Sequence, residues 1–205
     1  MGMISTRERL IAAAACLLDQ GGPAAVTLRD VGKAAGVSHN APYRHFADKD
    51  ALLAAVAARE LGRQGASLNR VGESVADVQA RLQGYVRWAL RYPERFRLTF
   101  GRWAREDAEL GDAASEARSA LTRAVAAAQA RSELPPADPE RLSSLLLALA
   151  HGAADLALAG HLSATGKGAA DAEDLVADLF AYLGARAKSG HSRKHRRPQA
   201  DAPNV

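Results

Sequence analysis

Residues 26–53, V-T-L-R-D-V-G-K-A-A-G-V-S-H-N-A-P-Y-R-H-F-A-D-K-D-A-L-L, leave the chain little freedom in how it folds. Thr27 is a good N-cap, and Asp30 three residues later completes a capping-box pattern. Leu28, Val31 and Ala35 then recur near helical spacing. Gly36 suits the left-handed residue that closes a helix, and Ser38 stands where it can cap the next one. Val37, between them, can fill the angle where the helices cross. Two short helices crossing steeply around a Gly-containing turn make a helix-turn-helix, whose second helix enters the DNA major groove.

The side chains on that second helix suit the task. Ser38, His39 and Asn40 are expected at its N-terminal end, within reach of base edges. Tyr43, Arg44 and His45 follow one turn later and can touch phosphates or flanking bases. Lys49 opens the following helix, where a cation and free backbone N–H groups together favour a phosphate. Thr27 and Arg29 on the first helix complete the candidate DNA-binding set. Spacing alone equally allows a small helical subdomain whose polar face is only solvated.

A more specific pattern lies within the segment: Tyr43-x-His45-Phe46 with Lys49 three residues on, behind Gly36-Val37-Ser38. With Thr27, Val31, Ala34, Leu52 and Leu53, these residues make residues 6–56, about a quarter of the chain, resemble the DNA-binding domain of the TetR family of bacterial regulators. One position departs from the family pattern. The residue before the tyrosine is usually a bulky aliphatic, and here it is Pro42, which removes a backbone donor. The reading helix is therefore expected to be short or tilted.

Composition extends the helical reading to the whole chain. Ala and Leu dominate the 205 residues, and aromatic residues make up 5%. No uninterrupted apolar run is long enough to cross a membrane, and the charged N-terminus lacks the apolar core of a signal peptide. The expectation is a cytoplasmic protein with no membrane partner. Cys16 is the single cysteine, so no intramolecular disulfide can form. The net charge of +4 belongs to the end of the chain. Residues 186–205 hold six cations against Asp201, a balance of +5, which leaves −1 for the other 185 residues.

In chain order, a first helix is expected over residues 6–20, with Leu10, Ile11, Ala14, Leu17 and Leu18 on one face. Asp48 caps a fourth helix that ends near Gly62 or Gly65. Ser74, with Asp77 in the box position, starts a fifth, and Pro93 opens a short sixth. Residues 105–112 read as a charged loop, 113–132 as a seventh helix, 138–161 as an eighth and 171 onward as a ninth. The domain expectation is a helix-turn-helix head over residues 1–50, a helical body over 51–187, and a basic tail over 188–205 without order. No P-loop, dinucleotide fingerprint, metal-binding helix pair or nucleophile elbow is present, so no cofactor, metal or enzymatic activity is expected.

The TetR resemblance gives the body two expected jobs. One is dimerisation through the last two helices, packed on their copies as a four-helix bundle about a two-fold axis. Ala148, Gly152 and Ala159 form a small-residue seam for that contact, with Asp155, Leu175 and Leu179 beside it. The other job is binding a small effector among the middle helices. Trp88, Tyr92, Phe96, Phe100 and Trp103 concentrate the aromatic surface there, with Tyr85 nearby and His151 as a polar contact. The same rings could equally be plain core, and His151 with Asp155 a satisfied structural pair. Ala150-His151-Gly152 also resembles the His-Gly part of a TetR subfamily signature, Trp-x-x-x-His-Gly, with Leu147 at the tryptophan position.

The sequence thus predicts an all-α protein: a three-helix head joined by a fourth helix to an effector-binding and dimerisation body. Its expected partners are double-stranded DNA, a second copy of itself and a small-molecule effector. The expected activity is that of a ligand-responsive regulator, a repressor on a palindromic operator. The alternative is a dimeric DNA-binding protein with no effector.

Overall fold

The computed structural model describes residues 4–69 and 74–194. Among them the regular elements are helical throughout. The head comprises α1 (Thr6–Gly21), α2 (Leu28–Ala34) and α3 (Ala41–His45), and α4 (Lys49–Asn69) leaves it. The body comprises α5 (Val75–Arg91), α6 (Pro93–Thr99), α7 (Ala108–Ala130), α8 (Pro139–Leu158) and α9 (Ala172–Lys194). Caps set several of these starts. Ser5 with Glu8 and Ser74 with Asp77 form complete capping boxes at α1 and α5.

Each part has its own core. In the head, Leu10, Ile11, Ala14 and Leu18 of α1 close on Val26, Val31, Phe46, Leu52 and Val56. In the body, Val78, Leu82, Val86, Phe96, Val125, Leu146, Val176 and Phe180 pack together. Each such side chain, fully buried, contributes about 1.5–3 kcal/mol. Helix α4 belongs to both parts. Its first turns supply Leu52, Leu53 and Val56 to the head core, so the head extends past the boundary expected at residue 50. Its next turns put Ala54, Ala57, Ala58 and Leu61 against Leu110 of α7.

Several elements differ from the sequence expectations. Helix α4 runs through Gly62 and Gly65 to Asn69. A Cβ on Gly65 would sit 3.4 Å from Ala117 Cα, so this glycine allows α7 to approach rather than ending the helix. Helix α7 starts at Ala108 inside the expected loop, because Asp107 caps it by accepting the Leu110 N–H at 2.9 Å and Leu110 buries against α4. Helix α9 continues to Lys194, seven residues into the segment expected to be without order. Residues 195–205 of that tail lie outside the described residues.

Within the 20 residues of α8, an 18-residue window has a mean hydropathy of 1.2, a length and composition that the core helix of a soluble protein shares with a membrane span. Here one side of the helix, through Leu142, Leu146, Ala150 and Ala153, is buried in the body core.

Candidate functional site

The helix-turn-helix is built from a tight set of local contacts. Thr27 Oγ1 accepts the Asp30 N–H at 3.1 Å, and its hydroxyl donates to the Asp30 carboxylate at 2.6 Å. Gly36 takes the left-handed conformation with φ of +63°. Arg9 of α1 reaches over and donates to the Ala35 carbonyl at 2.6 Å, which ties the turn to α1. Val37 is half-buried against the head core, as its place between the helices suggests.

The start of the reading helix corrects the expectation for Ser38, His39 and Asn40. Ser38 does not cap α3, and His39 and Asn40 lie in the turn before it rather than in its first turn. Proline is the cause. A helix capped at Ser38 would make its first backbone bond from the N–H of residue 42, and Pro42 has none. The chain instead closes a tighter turn, Ala41 N–H to Ser38 carbonyl at 3.0 Å, and α3 begins at Ala41. Pro42 is buried and sits on Gly32 of α2, where a Cβ would come within 2.8 Å of the proline Cγ. Thr27, Arg29, Ser38, His39, Asn40, Tyr43, Arg44 and His45 are all exposed, and Lys49 is half-buried at the start of α4. The Tyr43 ring is 53% exposed and meets His39 edge-on at 5.9 Å, so it does not fill the head core.

A cavity of about 690 Å³ lies in the body between α4, α5, α6, α7 and α8. Trp88, Tyr92 and Phe100 line it. Phe96 is buried beneath them, packed on Trp88 and Phe100, and belongs to the body core. Trp103 is not with these rings. It packs between the head core and the Ala57–Leu110 contact, because the chain leaves α6 at Thr99 and turns towards the head. The aromatic spacing through residue 103 therefore describes two places, a cavity wall and a head–body joint.

Polar groups on the cavity wall went unnoticed in the sequence. Glu60 of α4 is only 2% exposed. Its Oε1 accepts from Arg63 at 3.2 Å and from Arg95 at 3.3 Å, and its Oε2 accepts the Trp88 indole N–H at 3.2 Å. Arg95 also donates twice to Asp19 of α1 and stacks over the Tyr92 ring at 4.5 Å. Burial works against the Arg95 charge, but the Asp19 bonds and the Glu60 and Asp19 charges outweigh it and raise its pKa. Glu60 falls on the α4 stripe that carries Leu53 and Val56, and a carboxylate in a core stripe was the available signal.

His151 stands beside the cavity rather than in its wall. A 2.8 Å hydrogen bond joins its Nδ1 to the Tyr85 hydroxyl, and its ring packs on Phe96 and Phe100. Burial lowers the His151 pKa, partly offset by the charge of Asp155, and burial raises that of Tyr85. Both groups are neutral near pH 7.

The outer faces of α8 and α9 are apolar and uncovered in the single chain. Leu145 is 62% exposed and Tyr182 72%, with Leu156 also exposed. Ala148 and Asp155 are exposed on α8 and Ala159 just after its end, Gly152 is half-buried, and so are Leu175 and Leu179 of α9. Among the described residues no cluster of His, Cys, Asp and Glu could hold a metal ion.

Residues 10–56 match the family model for bacterial regulatory proteins of the tetR family, and residues 78–183 match that for a tetracyclin repressor-like C-terminal domain. Among solved structures, a protein of unknown function from Rhodococcus sp. RHA1 is 30% identical with a TM-score of 0.73, covering 90% of this chain and 96% of that one. SmeT in complex with triclosan is 26% identical with a TM-score of 0.56, covering 75% and 80%. RolR in complex with resorcinol is 18% identical with a TM-score of 0.59, covering 95% of each chain, a likeness of fold. The search of curated proteins returned no match.

Proposed function

The chain belongs to the TetR family of bacterial regulatory proteins, and from that premise we propose that it is a ligand-responsive repressor, holding a palindromic operator as a homodimer and releasing it when a small molecule fills the cavity. The observation that carries this reading is the double role of α4. Its first turns are part of the head core through Leu52 and Val56, and further along it forms a cavity wall through Glu60, Gln64 and Ser67. A molecule that displaces this wall also displaces the helix on which the head is built. SmeT and RolR have been solved with small organic molecules bound, which supports a ligand for this body too.

Release requires that the effector bind the operator-free arrangement more tightly than the operator-bound one. A ligand with equal affinity for both shifts nothing. The paired heads need a fixed spacing to meet two half-sites about one helical turn apart, so a small swing of each α4 is enough to lower affinity. The uncovered faces of α8 and α9 supply the surface for pairing.

The test is a selection of bound sequences from random DNA with the full chain, repeated with fractions of a bacterial metabolite extract. A palindromic consensus that some fraction releases is the expected result. Enrichment of no sequence ends the regulator reading. A consensus that every fraction leaves bound supports the alternative, a DNA-binding dimer with no effector.

A further inference from the structure

We propose that the cavity takes an uncharged molecule with an apolar body and a carbonyl oxygen, to which Thr99 and Gln64 donate hydrogen bonds. Such a molecule would be the effector, and this assignment rests on the regulator reading for its consequence at DNA. The apolar body meets Leu61, Leu82, Trp88, Phe100, Leu121 and Leu147 on the walls. Walls of that kind favour an apolar skeleton of any class, and the polar atoms among them narrow the choice.

Two buried donors on the wall have no acceptor. Thr99 is 7% exposed, and its hydroxyl has no partner. The Gln64 amide nitrogen is also buried without a partner. Both residues line the cavity. Thr99 stands one helical turn after Arg95 on α6, and Gln64 one turn after Glu60 on α4. Each is thus about 6 Å of helix rise from the place where Arg95 and Glu60, 3.3 Å apart, join the two helices. A buried donor without an acceptor costs free energy, and an acceptor oxygen on a ligand recovers it. A carbonyl oxygen has two lone pairs and brings no donor that needs an acceptor in turn.

The charged groups around the cavity are already matched. Glu60 accepts from Arg63, Arg95 and the Trp88 indole. Arg95 is held in turn by Asp19. Arg81 has the opposing charge of Asp77, and Arg118 is exposed to water. What the wall between α4 and α6 lacks is therefore an acceptor, not a counter-charge. A charged head of either sign would give up its hydration there without an unmatched charge in return. A carbonyl gives up far less and gains the two donors.

The test is equilibrium dialysis of the full chain, without DNA, against 2-acetylnaphthalene and 2-ethylnaphthalene, which are alike in shape and differ by the carbonyl oxygen. Both are expected to bind the parent protein. Thr99→Val keeps the shape of the side chain and removes the hydroxyl, and Gln64→Leu removes the amide. Each is expected to weaken the ketone about fivefold, the size of one neutral hydrogen bond, and to leave the hydrocarbon unchanged. Thr99→Ser, which keeps a hydroxyl, should hold the ketone as the parent does. Thr99→Val should also melt no lower than the parent, because the hydroxyl makes no bond within the fold. A ratio of ketone to hydrocarbon affinity that stays the same in both variants overturns the proposal. So does 2-naphthoate bound more tightly than the ketone, a lowered melting temperature in Thr99→Val, or failure of both naphthalenes to bind. The operator selection is independent of these measurements. The expected ratios in a protein that selects no DNA would leave the ligand class standing and remove the regulator reading. An operator released by a metabolite fraction, with the ratios unchanged, would do the reverse.

Discussion

Arg95 holds Asp19 with two parallel hydrogen bonds, from Nε to Oδ1 at 2.9 Å and from Nη2 to Oδ2 at 2.5 Å, across 76 residues of sequence. The same guanidinium touches Glu60 at 3.3 Å, so one side chain joins α1 of the head, α4 and the cavity wall. A ligand that draws Arg95 inward must loosen its hold on the head. Asp19→Asn is expected to lower unfolding free energy by about 1.5–3 kcal/mol, the range for a hydrogen bond to a charged group. Asp19 does not itself line the cavity, and the ratio of operator affinities with and without a releasing metabolite fraction should shrink. An unchanged ratio would show that the signal takes another route.

Gly32 and Pro42 are a matched pair in the head. Gly32→Ala places a methyl group 2.8 Å from the proline ring. Overpacking of this kind costs about 1–3 kcal/mol, more than alanine regains in helix propensity. Pro42→Ala removes the clash and restores the N–H that a helix starting at Ser38 needs. The double variant should recover most of the lost stability, and its coupling energy can be read from a double-mutant cycle of urea melts. Additive effects would break the pairing.

These two relationships show what could be read in advance. The head was legible because its caps, Gly36 and the Tyr43–Lys49 pattern are local. The onset of its reading helix was not, because Ser38 as a cap and Pro42 as a missing donor compete four residues apart, and only the fold shows that the proline wins. In α8 both faces are apolar, so periodicity cannot say which is inward. Leu145 and Leu156, which share a stripe with Leu142 and Leu146 in projection, turn out exposed. The Arg95–Asp19 pair joins segments with no local signal linking them. Glu60 was legible in principle, as a carboxylate on the core stripe of α4.

His151 gives the body a pH dependence of definite sign. Burial sets its folded pKa below the ordinary 6.5, so the unfolded chain takes up the proton first as pH falls. Stability from this group is therefore complete above the ordinary value and is lost as pH drops towards the folded value. Replacing His151 with Phe should flatten the melting temperature between about pH 7 and pH 5 relative to the parent protein. A variant as acid-sensitive as the parent would assign the effect to other groups.

The dimer face can be tested without disturbing the single chain. A Cβ on Gly152 meets nothing within 4 Å, and Leu145 is largely exposed. Gly152→Glu and Leu145→Glu therefore leave the isolated fold with room, apart from any effect on helix propensity. In a dimer they would bury an unpaired charge, at a cost of several kcal/mol. Sedimentation should find the parent dimeric at micromolar concentration and both variants monomeric with native helical content. A monomeric parent would end the prediction.

On DNA, base contacts and backbone contacts should separate by experiment. His39 and Asn40 are exposed in the turn that leads into α3, and Asn can pair with adenine through two hydrogen bonds. Lys49 stands half-buried at the start of α4, where its cation suits a phosphate. Asn40→Ala is expected to relax preference at one position of each half-site, at a cost of about 1–3 kcal/mol. Lys49→Ala should weaken all sequences alike and lower the salt slope by about one unit. Tyr43 can be changed as well, because its exposed ring leaves the head core intact, and Tyr43→Phe isolates the contribution of the hydroxyl. The measurement is binding to a full set of single-base operator variants at two salt concentrations. If Lys49→Ala altered base preference while Asn40→Ala weakened every sequence equally, the turn before α3 would face the backbone and α4 the bases. The delayed start of α3 at Pro42 makes this comparison decisive, since it moves His39 and Asn40 off the helix and changes the direction in which they leave the chain.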